Sequence, residues 1–172
     1  GGVIQANLTA PGRKEVSARM ASFHAPFWDG APQAQPNNGS ETYFSYYTKG
    51  SGLALYLDLY LRAKTGNRRS LDDVFASLKR RSWGAPNASY YLQGRGYTER
   101  DVELSASEVA GEDMHAWFDR YVGGTEDPDY DALLARAGLR LVRGDAWQIE
   151  EIPAASDAQR LVRQGWITGR HS

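Results

Sequence analysis

Residues 41–66, ETYFSYYTKGSGLALYLDLYLRAKTG, carry the pattern that most constrains how this chain folds. Leucines stand at 53, 55, 57, 59 and 61, every second position, which formally matches a strand. The intervening Ala54, Tyr56 and Tyr60 are not hydrophilic, so the alternation does not set apolar against polar. No β-branched residue falls between Gly52 and Lys64, and Leu and Ala are good helix formers. Asp58 and Arg62 are one helical turn apart, where opposite charges pair. The segment predicts a helix apolar nearly all round. Such a helix belongs in the middle of a domain, with other helices against it.

The remaining segments supply those neighbours. Residues 1–10 read as a loose lead-in. Thr9 and Pro11 read as the cap and first turn of a helix running to about His24, with Val16, Met20 and Phe23 on one face. Residues 24–41, rich in Pro, Gly and Asn, predict a long irregular loop pinned by Phe27 and Trp28. Thr65-Gly66-Asn67 stops the central helix. Ser70 caps the next one, Asp72 and Asp73 suit its positive end, and Leu71, Val74, Phe75 and Leu78 form its buried face up to Trp83. Residues 87–96 predict a second loop anchored by Tyr90 and Tyr91, in which Gly94-Arg95-Gly96 is a turn rather than an anion nest.

Thr98 opens a helix that Gly111 ends. Another follows from about Glu112 to Tyr121, with Met114, Trp117, Phe118 and Tyr121 as its core stripe and Gly123-Gly124 as its break. A short helix runs from Asp129-Tyr130 to Ala137-Gly138. LRLVRG and AWQIEEIP then suit a hairpin around Gly144-Asp145, residues 156–164 a short helix, and residues 165–172 a tail. The expected fold is mostly α: a helical bundle domain over residues 1–137, with a β-hairpin and short helix over residues 138–172 packed on it.

Charge and composition exclude several function classes. Twenty Lys and Arg against 21 Asp and Glu give a net charge of −1 with no basic stripe, which argues against a nucleic-acid partner. The clusters Arg68-Arg69 and Lys79-Arg80-Arg81 sit near helix ends, where cations suit the dipole or stay solvated. The absence of cysteine excludes disulfides and thiolate metal sites, and leaves a cytoplasmic or an exported location open. No segment is long and apolar enough to span a bilayer, and no signal peptide is present. The chain begins Gly-Gly rather than Met and so reads as an excised or processed piece of a longer protein.

Chemistry-bearing motifs are sparse. His24, His115 and His171 have no second histidine at metal-ligand spacing, and there is no His-Glu-x-x-His, no Gly-x-Ser-x-Gly and no phosphate-binding glycine loop. The aromatic cluster Tyr43, Phe44, Tyr46 and Tyr47 has two readings. One is core and lip packing. The other is that a tyrosine at the start of a buried helix, beside a long polar loop, faces a site where its phenol donates a hydrogen bond to a developing oxyanion.

SYYTKG with its apolar helix, then TGNRRSLDDVFASLKRR, GYTERDVE, VAGEDMHAWFDRYVGGTEDPDY and LLARAGLRL, resembles in order the C-terminal half of the catalytic region of metallopeptidase family sixty-one. These are the glycyl aminopeptidase-like zinc enzymes, which remove N-terminal Gly or Ala from peptides. The resemblance runs from about Arg13 to Leu141 and implies a gluzincin-like helical part. Tyr47-Thr48-Lys49-Gly50 matches the Tyr-x-Lys-Gly motif of the more distant aminopeptidase N group. The resemblance therefore gives Tyr47 the role of oxyanion stabiliser, with Tyr46 as alternate, and Tyr43, Lys49 and Gly50 a place in the substrate cleft.

The implied zinc, its His-Glu-x-x-His ligands and the glutamate base would lie upstream of Gly1, so no zinc is expected in this chain and the chain alone is expected to be inactive. The implied partners are a peptide substrate and the N-terminal half of the catalytic domain. The loop 25–40 would border the cleft, and Gly50, Ser51 and Gly52 would let the central helix approach the zinc helix closely. No carboxylate-binding loop of a C-terminal PDZ domain is visible after Gly138. The alternative is a helical binding or scaffold module without chemistry of its own.

Overall fold

At roughly 100° per residue, leucines two apart fall on nearly opposite sides of a helix, and leucines four apart fall one above the other. The alternation over residues 53–61 thus resolves into two stripes, Leu53/Leu57/Leu61 and Leu55/Leu59, and Leu57 and Leu61 serve one cluster of the core while Leu55 and Leu59 serve another. The structure, a computed structural model, describes residues 1–30, 44–83 and 96–172, with the backbone alone for 27–30. Its helices are α1 (Gly2–Thr9), α2 (Ala18–Gly30), α3 (Tyr46–Thr65), α4 (Leu71–Trp83), α5 (Glu99–Ala110), α6 (His115–Phe118), α7 (Tyr130–Arg136) and α8 (Asp157–Thr168). The strands β1 (Leu139–Val142) and β2 (Gln148–Glu151) form a two-stranded antiparallel sheet with Leu139 opposite Glu151. The fold is a mostly helical bundle with a small hairpin, and no described helix is long and apolar enough to cross a membrane.

The Leu57/Leu61 side of α3 packs with Val74, Ala106, Ala110, Met114 and Phe118 from α4, α5 and α6. The Leu59 side packs with Ile4, Tyr130, Leu133, Leu134, Leu139, Leu141 and Val162, and Leu55 lies against the same cluster. The hairpin and α8 therefore share a core with α1, α3 and α7. Asp58 and Arg62 pair within α3 at 3.1 Å, and Gly66, at φ 61°, closes the helix in the left-handed conformation.

Several local expectations are corrected. Residues 2–9 form α1 rather than a loose lead-in. Ile4 is fully buried and Leu8, one turn on, packs against the same cluster, so tertiary docking stabilises a helix too short to stand alone. Thr9 does not cap a helix; it ends α1, and its hydroxyl donates to the carbonyl of Gln5. Pro11 opens a short 3-10 turn, and Ser17 then caps α2 by accepting from Met20 N at 3.1 Å.

The long loop begins later than expected, because α2 continues through Pro26 to Gly30. Pro26 and Ser22 are exposed, so the helix carbonyl left without a partner is open to water. Met20 and Phe23 are also exposed, and Phe75 turns outward while Ser77 takes its place beside Val74 and Leu78. The last helix runs on to Thr168 through Gly165, which lies against Asn67. Expectations for Tyr43, Tyr90, Tyr91, the Gly94-Arg95-Gly96 turn and the side chains of Phe27 and Trp28 fall outside the described residues.

Most remaining boundaries agree closely, but the helix expected from about Glu112 to Tyr121 is α-helical only over His115–Phe118. Thr98 and Asp101 form a reciprocal capping box at the start of α5, and Gly111 ends that helix at φ 67°. Ser70 is fully buried; its hydroxyl accepts from Asp72 N while its own N–H donates to Asp73. Beyond α6 the chain passes through a wider π turn, Asp119–Gly123, before Gly124 extends it.

Candidate functional site

Ser45 starts α3, its side chain accepting from Thr48 N at 3.5 Å. The next turn sends its residues in different directions. Tyr47 points to solvent at 68% exposure, its ring 4.2 Å from that of Tyr46, and its hydroxyl has no hydrogen-bond partner among the described residues. Lys49, two residues on, points inward and is only 2% exposed. Its ammonium lies 4.9 Å from the centre of the buried Phe44 ring.

Burial holds the Lys49 ammonium below the usual lysine range. Asp127 opposes that shift, and Lys14 and Arg13 add to it. Asp127 is already engaged by Lys14 at 2.7 Å and Arg13 at 3.4 Å, so it serves three cations. A buried lysine near the positive end of a helix is an unusual arrangement, and the aromatic face offsets only part of its cost.

The glycines of the same segment do unlike things. A side chain at Gly52 would come within 2.7 Å of Tyr130 Oη and 2.8 Å of Asn7 Cγ. The close approach at Gly52 is therefore to α1 and α7 of this chain. Asn7 is itself held, donating to Thr48 O at 2.7 Å and to Val3 O at 2.9 Å. A side chain at Gly50 would meet no described residue within 4 Å. Gly50 instead lines a groove of about 480 Å³ between α2, α3, α5 and the π turn, with Phe23, Leu53, Val102, Phe118 and Val122 as apolar walls. Arg19 and Glu99 also line it, paired at 2.8 Å. That pairing holds the Glu99 carboxyl below its usual range, against some burial.

The structure thus places Tyr46, Tyr47, Lys49 and Gly50 on one turn and a half of helix, but on different sides of it. Tyr47 and Gly50 share a side, and Lys49 faces the interior. Sequence reasoning missed Asn7, Asp127 and the groove walls, which come from segments far apart in the chain. The one local signal was Gly50 itself, a glycine in a helix interior, where it costs roughly 0.5–1 kcal/mol relative to alanine.

The histidines serve local pairs. His115 stands between Glu103 at 3.1 Å and Asp119 at 3.2 Å, and His171 lies 3.0 Å from Ser70 Oγ and 3.3 Å from Asp73. Among the described residues no group of three or more His, Asp or Glu is placed to hold a metal ion, so these residues do not furnish a donor set for the zinc that the resemblance implies. No family model and no curated protein matches this sequence.

Proposed function

We propose that this chain is the C-terminal helical portion of a zinc aminopeptidase that removes small N-terminal residues, Gly or Ala, from peptides. The observation that carries the reading is Tyr47: an exposed phenol in the first turn of the longest described helix, in the context Tyr47-Thr48-Lys49-Gly50. A neutral phenol on a rigid helix is suited to donate one hydrogen bond to a developing oxyanion. In this reading the metal ligands and the base come from an N-terminal half, and Tyr47 is this chain's own contribution to the reaction. Tyr46, its ring against that of Tyr47, is the alternate donor.

The second reading, a binding module without chemistry, is favoured by the apolar residues left on the surface: Phe23 at 69%, Trp83 at 64% and Phe75 at 60% exposure. The reading frame upstream of Gly1 separates the two. A His-Glu-x-x-His motif there, with hydrolysis of Gly- or Ala-peptides by the full protein, supports the enzyme. A frame without that motif refutes it.

A further inference from the structure

Asn7 places an amide on the buried side of a short helix. It is 4% exposed and stands one turn beyond the fully buried Ile4. Its side chain donates to Val3 O at 2.9 Å within α1 and to Thr48 O at 2.7 Å across to α3. The second bond needs room at Gly52, where a Cβ would sit 2.8 Å from Asn7 Cγ. The contact therefore carries two local costs. One is a buried polar group, and the other is a glycine inside the central helix, worth about 0.5–1 kcal/mol against alanine. Local costs of this kind concentrate where a fold holds a functional group in place.

The carbonyl that Asn7 takes belongs to the residue after Tyr47. The first turn of a helix is among its loosest parts, because its own N–H groups lack partners within the helix. The cap of this turn is long: Ser45 Oγ accepts from Thr48 N at 3.5 Å, the outer edge of hydrogen-bond range. Asn7 adds an anchor from outside the helix, and that anchor is itself fixed. Ile4 packs in the core with Leu59 and Tyr130. Gln5 is pinned to the hairpin, donating to Asp145 O and accepting from Trp147 N, both at 3.0 Å. A chain of contacts thus runs from the hairpin through α1 to the turn that bears Tyr47.

We infer that Asn7 is a positioning residue for Tyr47: its hydrogen bond to Thr48 O holds the first turn of α3, and with it the phenol, in one place relative to a bound carbonyl. The inference rests on the aminopeptidase reading, in which Tyr47 donates to the oxyanion. A misplacement of about 1 Å in such a donor costs up to about a hundredfold in rate.

The test uses Asn7→Leu, which keeps the bulk of the side chain and removes both donated bonds. In the 172-residue chain it is expected to speed amide exchange at Thr48 and Lys49 by about tenfold or more relative to Leu57 and Leu59, deeper in the same helix. In the full-length protein it is expected to lower kcat for an Ala-peptide by about tenfold, with KM within about twofold of the wild type and bound zinc unchanged. In a Tyr47→Phe background it is expected to lower kcat no further, because no hydroxyl is left to position. A purely structural role would instead lower kcat by the same factor in both backgrounds.

Gly52→Ala presses on the same amide from the other side. It is expected to give the same pattern, and it decides the matter should Asn7→Leu not fold. Unchanged exchange at Thr48 and Lys49, or equal losses of kcat in the two backgrounds, would overturn the positioning role. If Tyr47→Phe loses rate and Asn7→Leu and Gly52→Ala do not, the positioning role alone fails. If the full-length protein hydrolyses no Ala-peptide, the aminopeptidase reading fails and the positioning role falls with it.

Discussion

The side-chain amide of Asn7 fills the space over Gly52, and so a residue of the first helix sets the identity of a residue in the central one. The amide cannot simply swing away, because it holds Thr48 O at 2.7 Å and Val3 O at 2.9 Å in a buried setting. Gly52→Ala is therefore expected to destabilise the fold by about 1–3 kcal/mol, the usual cost of overpacking. Gly50→Ala, with no described residue within 4 Å of the added methyl, is expected to stabilise by about 0.5–1 kcal/mol. Urea unfolding of the two variants checks this. Equal effects at the two glycines would show that helix propensity alone, not the contact with Asn7, governs both sites.

The same contact shows what was legible in the sequence. The central helix, its glycine stop, the Ser70 and Thr98 caps and the hairpin could all be read, because each is written in adjacent residues. The helix α1 could not, since its eight residues fold by seating Ile4 against Leu59, Leu134 and Val162 and Asn7 against Thr48, all far off in sequence, rather than by any strong local period. Cap chemistry misled at Thr9 for a related reason: Thr9, Ser17 and Pro11 all suit a helix start, and only packing chose Ser17. At the candidate site, Tyr47 and Gly50 could be picked out from the motif, but the burial of Lys49 and the groove walls depend on four separate segments.

Lys49 gives a pH-dependent prediction. Its folded pKa lies below the unfolded value, so between the two the unfolded chain binds more protons and stability rises with pH. The desolvation cost is fully present below the folded pKa and is relieved as pH climbs from there toward the ordinary lysine value of 10.5. Lys49→Met should stabilise the fold at pH 7 by about 1 kcal/mol or more and flatten that rise. Measurements belong below pH 10, because Tyr60, pushed up to about 12 by burial and by its hydrogen bond to Glu112, contributes stability that is lost as pH rises through that range. A variant as steep as the wild type would remove Lys49 as the source.

Arg62 ties the end of the central helix to the last residues of the chain. It is 2% exposed, pairs with Asp58 at 3.1 Å, and donates to Asn67 Oδ1 at 2.8 Å and to Arg170 O at 3.2 Å. Asn67, in the left-handed region at φ 63°, donates to Arg170 O as well and accepts from Ser172 N through its own carbonyl. Arg62→Met leaves Asp58 without its cation and is expected to cost about 3 kcal/mol. Asn67→Gly keeps the backbone conformation and the Asp58–Arg62 pair but removes the bridge and the side chain packed against Gly165, so it should cost less while raising hydrogen exchange at Ser172. If the two variants lose equal stability, the bridge rather than the ion pair is what matters.

Tyr47 is where the functional reading is most exposed to test. Its hydroxyl has no structural task among the described residues and the side chain is largely in solvent, so Tyr47→Phe should leave the unfolding midpoint of this chain unchanged. In the full-length protein the same change should lower kcat for an Ala-peptide by about a hundredfold or more, as for loss of an oxyanion donor. KM should move little, because the hydrogen bond is made in the transition state rather than to the ground-state carbonyl. Bound zinc should be unaltered, which separates a lost donor from a damaged metal site. Tyr46→Phe serves as the control, its effect expected to be small if Tyr47 is the donor. An unchanged kcat in Tyr47→Phe with a large loss in Tyr46→Phe would transfer the role to the neighbour, and unchanged rates in both would remove this helix from the chemistry.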